Sequence, residues 1–245
     1  REDGRFHEPL AEEEVRAMPA ERQVKLSEHI SGMCEQALAC LGSGPRRPNR
    51  TEPIFDLRHI EDPDAWLETL DYRAVPWGRC HNVAFSLLWY RRQLGLHDQP
   101  DSRARQLYEL IEQRMLDPTD GMPGSPDVPS GRRIAGYYML TFCYLPFARP
   151  LPNPQAAIDL ILEARQEDGQ IGDGGMCQNW DAVYVLNHVG SQTQWSYRWP
   201  ELCELADRME RFLLDVHRKP DGAFSFQRDH CLTNHNGLVT APALP

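Results

Sequence analysis

The chain has 245 residues, 41% of them apolar, which is enough for one large core and too few for several ordinary domains, so a single domain over residues 1–245 is expected. A quarter of the residues are charged, and no apolar run approaches the ~20 positions that a membrane-spanning helix needs, which excludes a membrane span. With 26 Lys and Arg against 36 Asp and Glu, the net charge of −10 repels phosphate backbones and anionic lipid surfaces, so nucleic acid is not an expected partner.

Apolar residues recur at helical spacing in nearly every segment between turn signals, and strand patterns are scarce, so the expected fold is all-α. In chain order, Val24 to Leu41 reads as a helix closed by Gly42-Ser43-Gly44, and Pro45 to Pro53 reads as a basic loop. Asp62-Pro63-Asp64 predicts a helix start, with Asp62 as N-cap, for Ala65 to Leu70. Further helices are predicted over 80–94, 102–116, 132–145, 154–166, 177–189 and 199–217, joined by loops short enough to make neighbours antiparallel hairpins. The odd number of cysteines, 7, and their place inside apolar helical patterns argue for reduced thiols. The start Arg1-Glu2-Asp3-Gly4 lacks a signal-peptide pattern, and a cytoplasmic location is expected. Asn49-Arg50-Thr51 matches a glycosylation sequon, a pattern that also arises by chance.

A repeat organises the chain. Asp120-Gly121, Asp168-Gly169 and Asp221-Gly222 each follow a predicted helix at a period of about 50 residues, near that of stacked helix pairs. In each dipeptide the Gly supplies the positive φ that closes a helix. A new helix starts about ten residues later, at Gly131-Arg132-Arg133-Ile134 and at Gly175-Met176-Cys177-Gln178-Asn179, with an earlier copy at Gly78-Arg79-Cys80-His81-Asn82. Each unit is an outer helix, a Gly-rich turn and a second helix that opens with polar residues. Such a pair cannot bury both faces alone, so successive pairs must stack. In the second helix of one unit, Ala182, Val185, Leu186 and Val189 form one apolar stripe, while Cys177, Asp181, Tyr184 and His188 line another face. Two such faces suit an inner helix, packed on one side and facing a cavity on the other.

The stretch Gln166-Glu167-Asp168-Gly169-Gln170-Ile171-Gly172, followed by Cys177-Gln178-Asn179-Trp180-Asp181-Ala182-Val183-Tyr184-Val185-Leu186, resembles the α/α-toroid superfamily of terpenoid cyclases and protein prenyltransferases. Pro220-Asp221-Gly222-Ala223-Phe224-Ser225-Phe226 is similar in the same way. The resemblance lies in repeat grammar over most of residues 60 to 230, and it implies a ring of outer helices around inner ones. Where cyclases carry an Asp-x-Asp-Asp proton donor, this chain reads Gln178-Asn179-Trp180-Asp181, so Asp181 alone corresponds. Where prenyltransferases hold zinc with Asp-x-Cys, Asp173 and Cys177 have three residues between them instead of one. The sequence stops soon after the third Asp-Gly turn, and a closed ring would need another inner helix, so the expectation is either a chain that continues past Pro245 or an incomplete toroid.

Asp181 is the leading candidate acid or base, because a carboxylate among Trp180, Ala182, Val183 and Tyr184 on an inner helix is desolvated and its pKa rises. Cys177, one turn earlier, sits where a helix N-terminus acidifies a thiol. His81 opens an earlier inner helix and is a third catalytic candidate; His188 lies at the far end of the Cys177 stripe. Arg132 and Arg133 at a cavity mouth would clamp a carboxylate or diphosphate, or else pair with neighbouring acids. Trp180, Tyr184, Tyr137, Tyr138 and Trp89 would shape an apolar pocket whose ring faces hold a hydrocarbon, stabilise a carbocation or stack on sugars. His230, Cys231 and His235 would bind zinc together with Cys177, although the four-ligand spacing of a structural zinc site is absent, so no metal ligand is assigned. The expected function is acid/base chemistry of cyclase or lyase type on a largely apolar or isoprenoid-like small molecule. Two alternatives stand beside it: a carbohydrate-active hydrolase or lyase with Asp173 as second carboxylate, and a non-catalytic helical-repeat scaffold.

Overall fold

The computed structural model describes residues 56–94, 100–173 and 175–220, together with Pro19, Cys34, Gly222, Phe224, Ser225, Gln227, Arg228 and the pairs 234–235 and 238–239. The helix expected over 24–41, except the helical Cys34, lies outside the described residues, as do the loop 45–53 with its sequon, and His230 and Cys231.

The fold is all-α. The helices are α1 (Pro63–Glu68), α2 (Pro76–Gln93), α3 (Ser102–Leu110), α4 (Ser130–Tyr144), α5 (Pro154–Glu163), α6 (Met176–Gln192) and α7 (Trp199–Phe212). The described strands are two residues each, β1 (Asn234–His235) and β2 (Leu238–Val239), paired antiparallel. Asp62 caps α1 as its sequence predicts, accepting from the backbone N–H of Asp64 at 3.0 Å and of Ala65 at 3.2 Å. Asp101 caps α3 through the N–H of Ala104 at 2.9 Å, and its other oxygen accepts from the Tyr90 hydroxyl at 2.6 Å, which ties the end of α2 to the start of α3. The helices predicted over 102–116 and 199–217 end earlier as α-helix and widen into π turns, Ile111–Met115 and Leu213–His217. Each π turn leads directly into an isolated bridge, Leu116 with Pro123 and Arg218 with Phe224.

The inner layer is α2, α4 and α6 side by side, with α4 in the middle. Every residue of α4 from Arg133 to Tyr144 is buried, as a helix enclosed on all sides requires. The three inner helices run in one direction. Gly131 at the start of α4 abuts Gln178 at the start of α6, and further along Tyr138 and Phe142 meet Tyr184. On the other flank Pro76 of α2 lies against Gly136, and Phe85 against Phe142. The outer layer is α3, α5 and α7: α5 packs on both α4 and α6 and reaches α7. Tyr108 of α3 donates its hydroxyl to the Cys143 carbonyl, with its ring 5.0 Å edge-on to Tyr144. Burying each of these large side chains stabilises the layers by about 1.5–3 kcal/mol.

The repeat seen in the sequence is a repeat in space. Gly121, Gly169 and Gly222 all take positive φ, at 71°, 96° and 86°. Oδ1 of Asp120 accepts from the Met122 N–H at 3.0 Å, and Oδ1 of Asp168 accepts from the Gln170 N–H at the same distance. The remaining oxygens bind arginines: Asp120 pairs with Arg133 and Asp168 with Arg228. The first two turns are thereby latched to an element further along the chain.

Candidate active site

The site is built from i, i+4 pairs on the three parallel inner helices, since residues four apart share a helix face. On α2, His81 stacks on Phe85 at 4.3 Å between ring centroids and lies 5.8 Å from Trp77. Phe85 meets Phe142 of α4 at 6.0 Å. On α4, Tyr138 stands edge-on to Phe142 at 5.1 Å, and both face Tyr184 of α6, at 5.3 and 6.4 Å. On α6, Tyr184 continues to His188 at 4.8 Å and to Trp180 at 6.4 Å. The result is a continuous aromatic belt across the inner layer, from buried His81 to Trp180, which is 58% exposed. Phe85, Phe142 and Trp77 complete it; the i, i+4 spacing of Tyr138 with Phe142 and of His81 with Phe85 is the signal by which the sequence marks them.

Asp181 sits beside this belt on α6, only 7% exposed, and burial alone lifts its pKa from the ordinary carboxylate value to about 7. Its charge reaches Tyr138, whose hydroxyl is held well above the usual phenol value, first by burial and then by Asp181, with Trp180 acting in the opposite sense. Cys177, one turn before Asp181, is exposed on α6, yet the protein packed about its sulfur and then the Asp181 carboxylate push its thiol up to about 11. The acidified thiol expected at this helix start is therefore corrected: at neutral pH Cys177 is a protonated thiol. Desolvation lowers the pKa of half-buried His188, which keeps that ring neutral at neutral pH. The assembly holds one carboxyl poised to give or take a proton near pH 7, a protonated phenol and thiol within its field, and aromatic faces that stabilise positive charge.

Other expected residues go elsewhere. Arg133 is 3% exposed and forks onto Asp120 with two bonds of 2.6 Å, while two further N–H groups reach the carbonyls of Pro123 at 3.1 Å and Met122 at 3.3 Å. It is buried and fastens the first Asp-Gly turn, whereas Arg132 beside it is exposed. Tyr137 is fully buried and donates to the Pro152 carbonyl in the α4–α5 connection, so it belongs to the interface between layers. Trp89 lies buried under the Arg58 guanidinium, 4.5 Å from its ring centroid. Asp173 is exposed in the turn before α6.

Among the described residues no group of three His, Cys, Asp or Glu side chains is placed to hold a metal ion. No described helix is long and apolar enough to cross a membrane. No family model, curated protein or solved structure matches the chain.

Proposed function

We propose that this chain is an enzyme that performs acid/base chemistry, of cyclase or lyase type, on a largely apolar, isoprenoid-like small molecule held against the inner layer, and that the helix pairs belong to a toroid. The observation that carries the reading is the Asp181 carboxyl, buried, raised to about 7, and set beside the Tyr138, Phe142 and Tyr184 rings. A catalytic acid works best with a pKa near the working pH, and ring faces favour a developing carbocation over water. Asp181 donates its proton to a substrate double bond, and the aromatic belt screens the resulting cation from solvent. Cys177 and His188 shape the wall, and exposed Trp180 and Arg132 stand at its edge.

The test incubates acyclic isoprenoid alkenes with the protein in deuterated water and follows products by mass spectrometry. A product carrying one solvent deuteron, formed by the natural chain and lost in Asp181→Asn with the fold intact by circular dichroism, is the expected result. Turnover that survives in Asp181→Asn, or no turnover of any isoprenoid by the natural chain, would overturn it.

A further inference from the structure

Asp181, Tyr184 and His188 lie on one face of α6, at intervals of three and four residues. Two helical turns separate the acid from the imidazole, a rise of about 10 Å, which is beyond the reach of a direct proton transfer. The Tyr184 ring stands between them. It meets the His188 ring at 4.8 Å and the Tyr138 ring at 5.3 Å, and Tyr138 lies in the field of Asp181. The carboxyl and the imidazole therefore occupy opposite ends of one aromatic surface.

Loss of water shifts the two groups in opposite directions, lifting the Asp181 carboxyl to about 7 and lowering the His188 imidazole. Ordinarily a carboxyl gives up its proton before an imidazolium does, and here that order is reversed. Titratable groups pushed apart in this way divide the work of acid and base between them. The other groups on the belt do not compete for the second role. Cys177 holds its proton up to about 11, and Tyr138 holds its own well above the usual phenol value. His81 is 1% exposed, with its ring stacked on Phe85 at 4.3 Å, so a proton accepted there would place a charge in an apolar site. His188 is half-buried: one side of its ring meets the belt, and a proton it takes can leave to solvent.

We propose that His188 is the catalytic base that ends the reaction, taking a proton from the substrate two helical turns from where Asp181 delivers one, so that the product is an isomer of the substrate. This role rests on the acid role proposed for Asp181. The Asp181 O–H bond breaks, and the electron pair of a substrate double bond forms a new C–H bond with the proton, leaving a carbocation. The cation passes along the Tyr184 face by ring closure or double-bond shift. A C–H bond beside it then breaks; its electron pair forms a double bond, and its proton goes to the unprotonated ring nitrogen of His188. Nothing is oxidised or reduced. The carboxylate and imidazolium left behind exchange their proton through solvent, which His188 touches. Without the base, water captures the cation and the product is an alcohol.

The test incubates the full chain with acyclic isoprenoid alkenes in deuterated water and compares the natural protein, Asp181→Asn, His188→Phe and His188→Ala by mass spectrometry. The natural chain should yield an isomer in which one hydrogen is replaced by a solvent deuteron. His188→Phe keeps a ring against Tyr184 and should form that isomer at least about a hundredfold more slowly, while an alcohol with the same carbon-bound deuteron appears. His188→Ala should lose the isomer as well and regain it at least about tenfold when imidazole is added, a rescue that a structural role would not give. Isomer formation unchanged in both His188 variants, loss of deuteron uptake together with the isomer and no rescue by imidazole, or an alcohol as the natural product would overturn the role of His188 and leave that of Asp181 standing. Turnover that survives Asp181→Asn, or none by the natural chain, removes the acid and the base together.

Discussion

Replacing Asp181 with Asn tests the buried carboxyl without any substrate. In the folded chain this group holds its proton up to about pH 7, whereas in the unfolded chain it releases it near pH 4. Between those values the folded state binds the extra proton, so the group's contribution is fully present below the unfolded pKa and is lost as pH rises through the folded one. Moving a carboxylate pKa from about 4 to about 7 costs the folded state about 4 kcal/mol once the group is ionised in both states. Asn has the same shape and never ionises. The variant should therefore gain on the natural chain as pH rises, from about 1 kcal/mol at pH 4.5 to about 4 kcal/mol at pH 8, every other titrating group cancelling in the difference. Urea unfolding of both proteins across that range, followed by tryptophan fluorescence, measures it directly. A difference constant to within about 0.5 kcal/mol would mean that the carboxylate is solvated in the folded chain, and the reasoning about Asp181 would fail with it.

Arg133→Met should cost about 3–5 kcal/mol in urea unfolding, because it removes the partner of Asp120 and leaves the Pro123 and Met122 carbonyls without their donors; a loss under about 1 kcal/mol would show that Asp120 re-pairs with water at no penalty. Gly169→Ala and Gly222→Ala separate two costs that the repeat otherwise merges. Both alanines must sit at positive φ, but at Gly169 the new Cβ would also come within 2.7 Å of the Arg208 backbone, while at Gly222 nothing lies within 4 Å. Thermal unfolding should show about 1 kcal/mol for Gly222→Ala and at least about 3 kcal/mol for Gly169→Ala, and equal losses would refute the close approach of that turn to α7.

What the sequence made legible was local physics. The Asp-Gly turns were readable because an Asp side chain bonds an N–H two residues on and a following Gly takes positive φ, and both effects are contained within a few residues. The start of α1 was readable for the same reason, in Asp62 and Pro63. For Arg133, Tyr137 and Trp89 the sequence does not say which neighbour each meets, because α4 and most of α2 are buried on every face, and a helix enclosed all round shows no clean apolar stripe to tell the inner belt from the outer layer. At Cys177 a helix start predicts an acidic thiol, and only the folded neighbourhood supplies the close packing about the sulfur and the Asp181 charge that reverse it. The belt itself lies between these cases. His81 with Phe85, Tyr138 with Phe142, Cys177 with Asp181 and Tyr184 with His188 are each four residues apart, so each pair was visible on its own helix. Which pair meets which is decided by the Gly131 contact with Gln178 and the Gly136 contact with Pro76, where missing side chains let neighbouring helices close up and fix their relative height. The small residues at those crossings carry no chemistry, yet they set the register that brings Tyr138 into the field of Asp181, so the reactivity of the carboxyl depends on positions that a search for reactive side chains passes over.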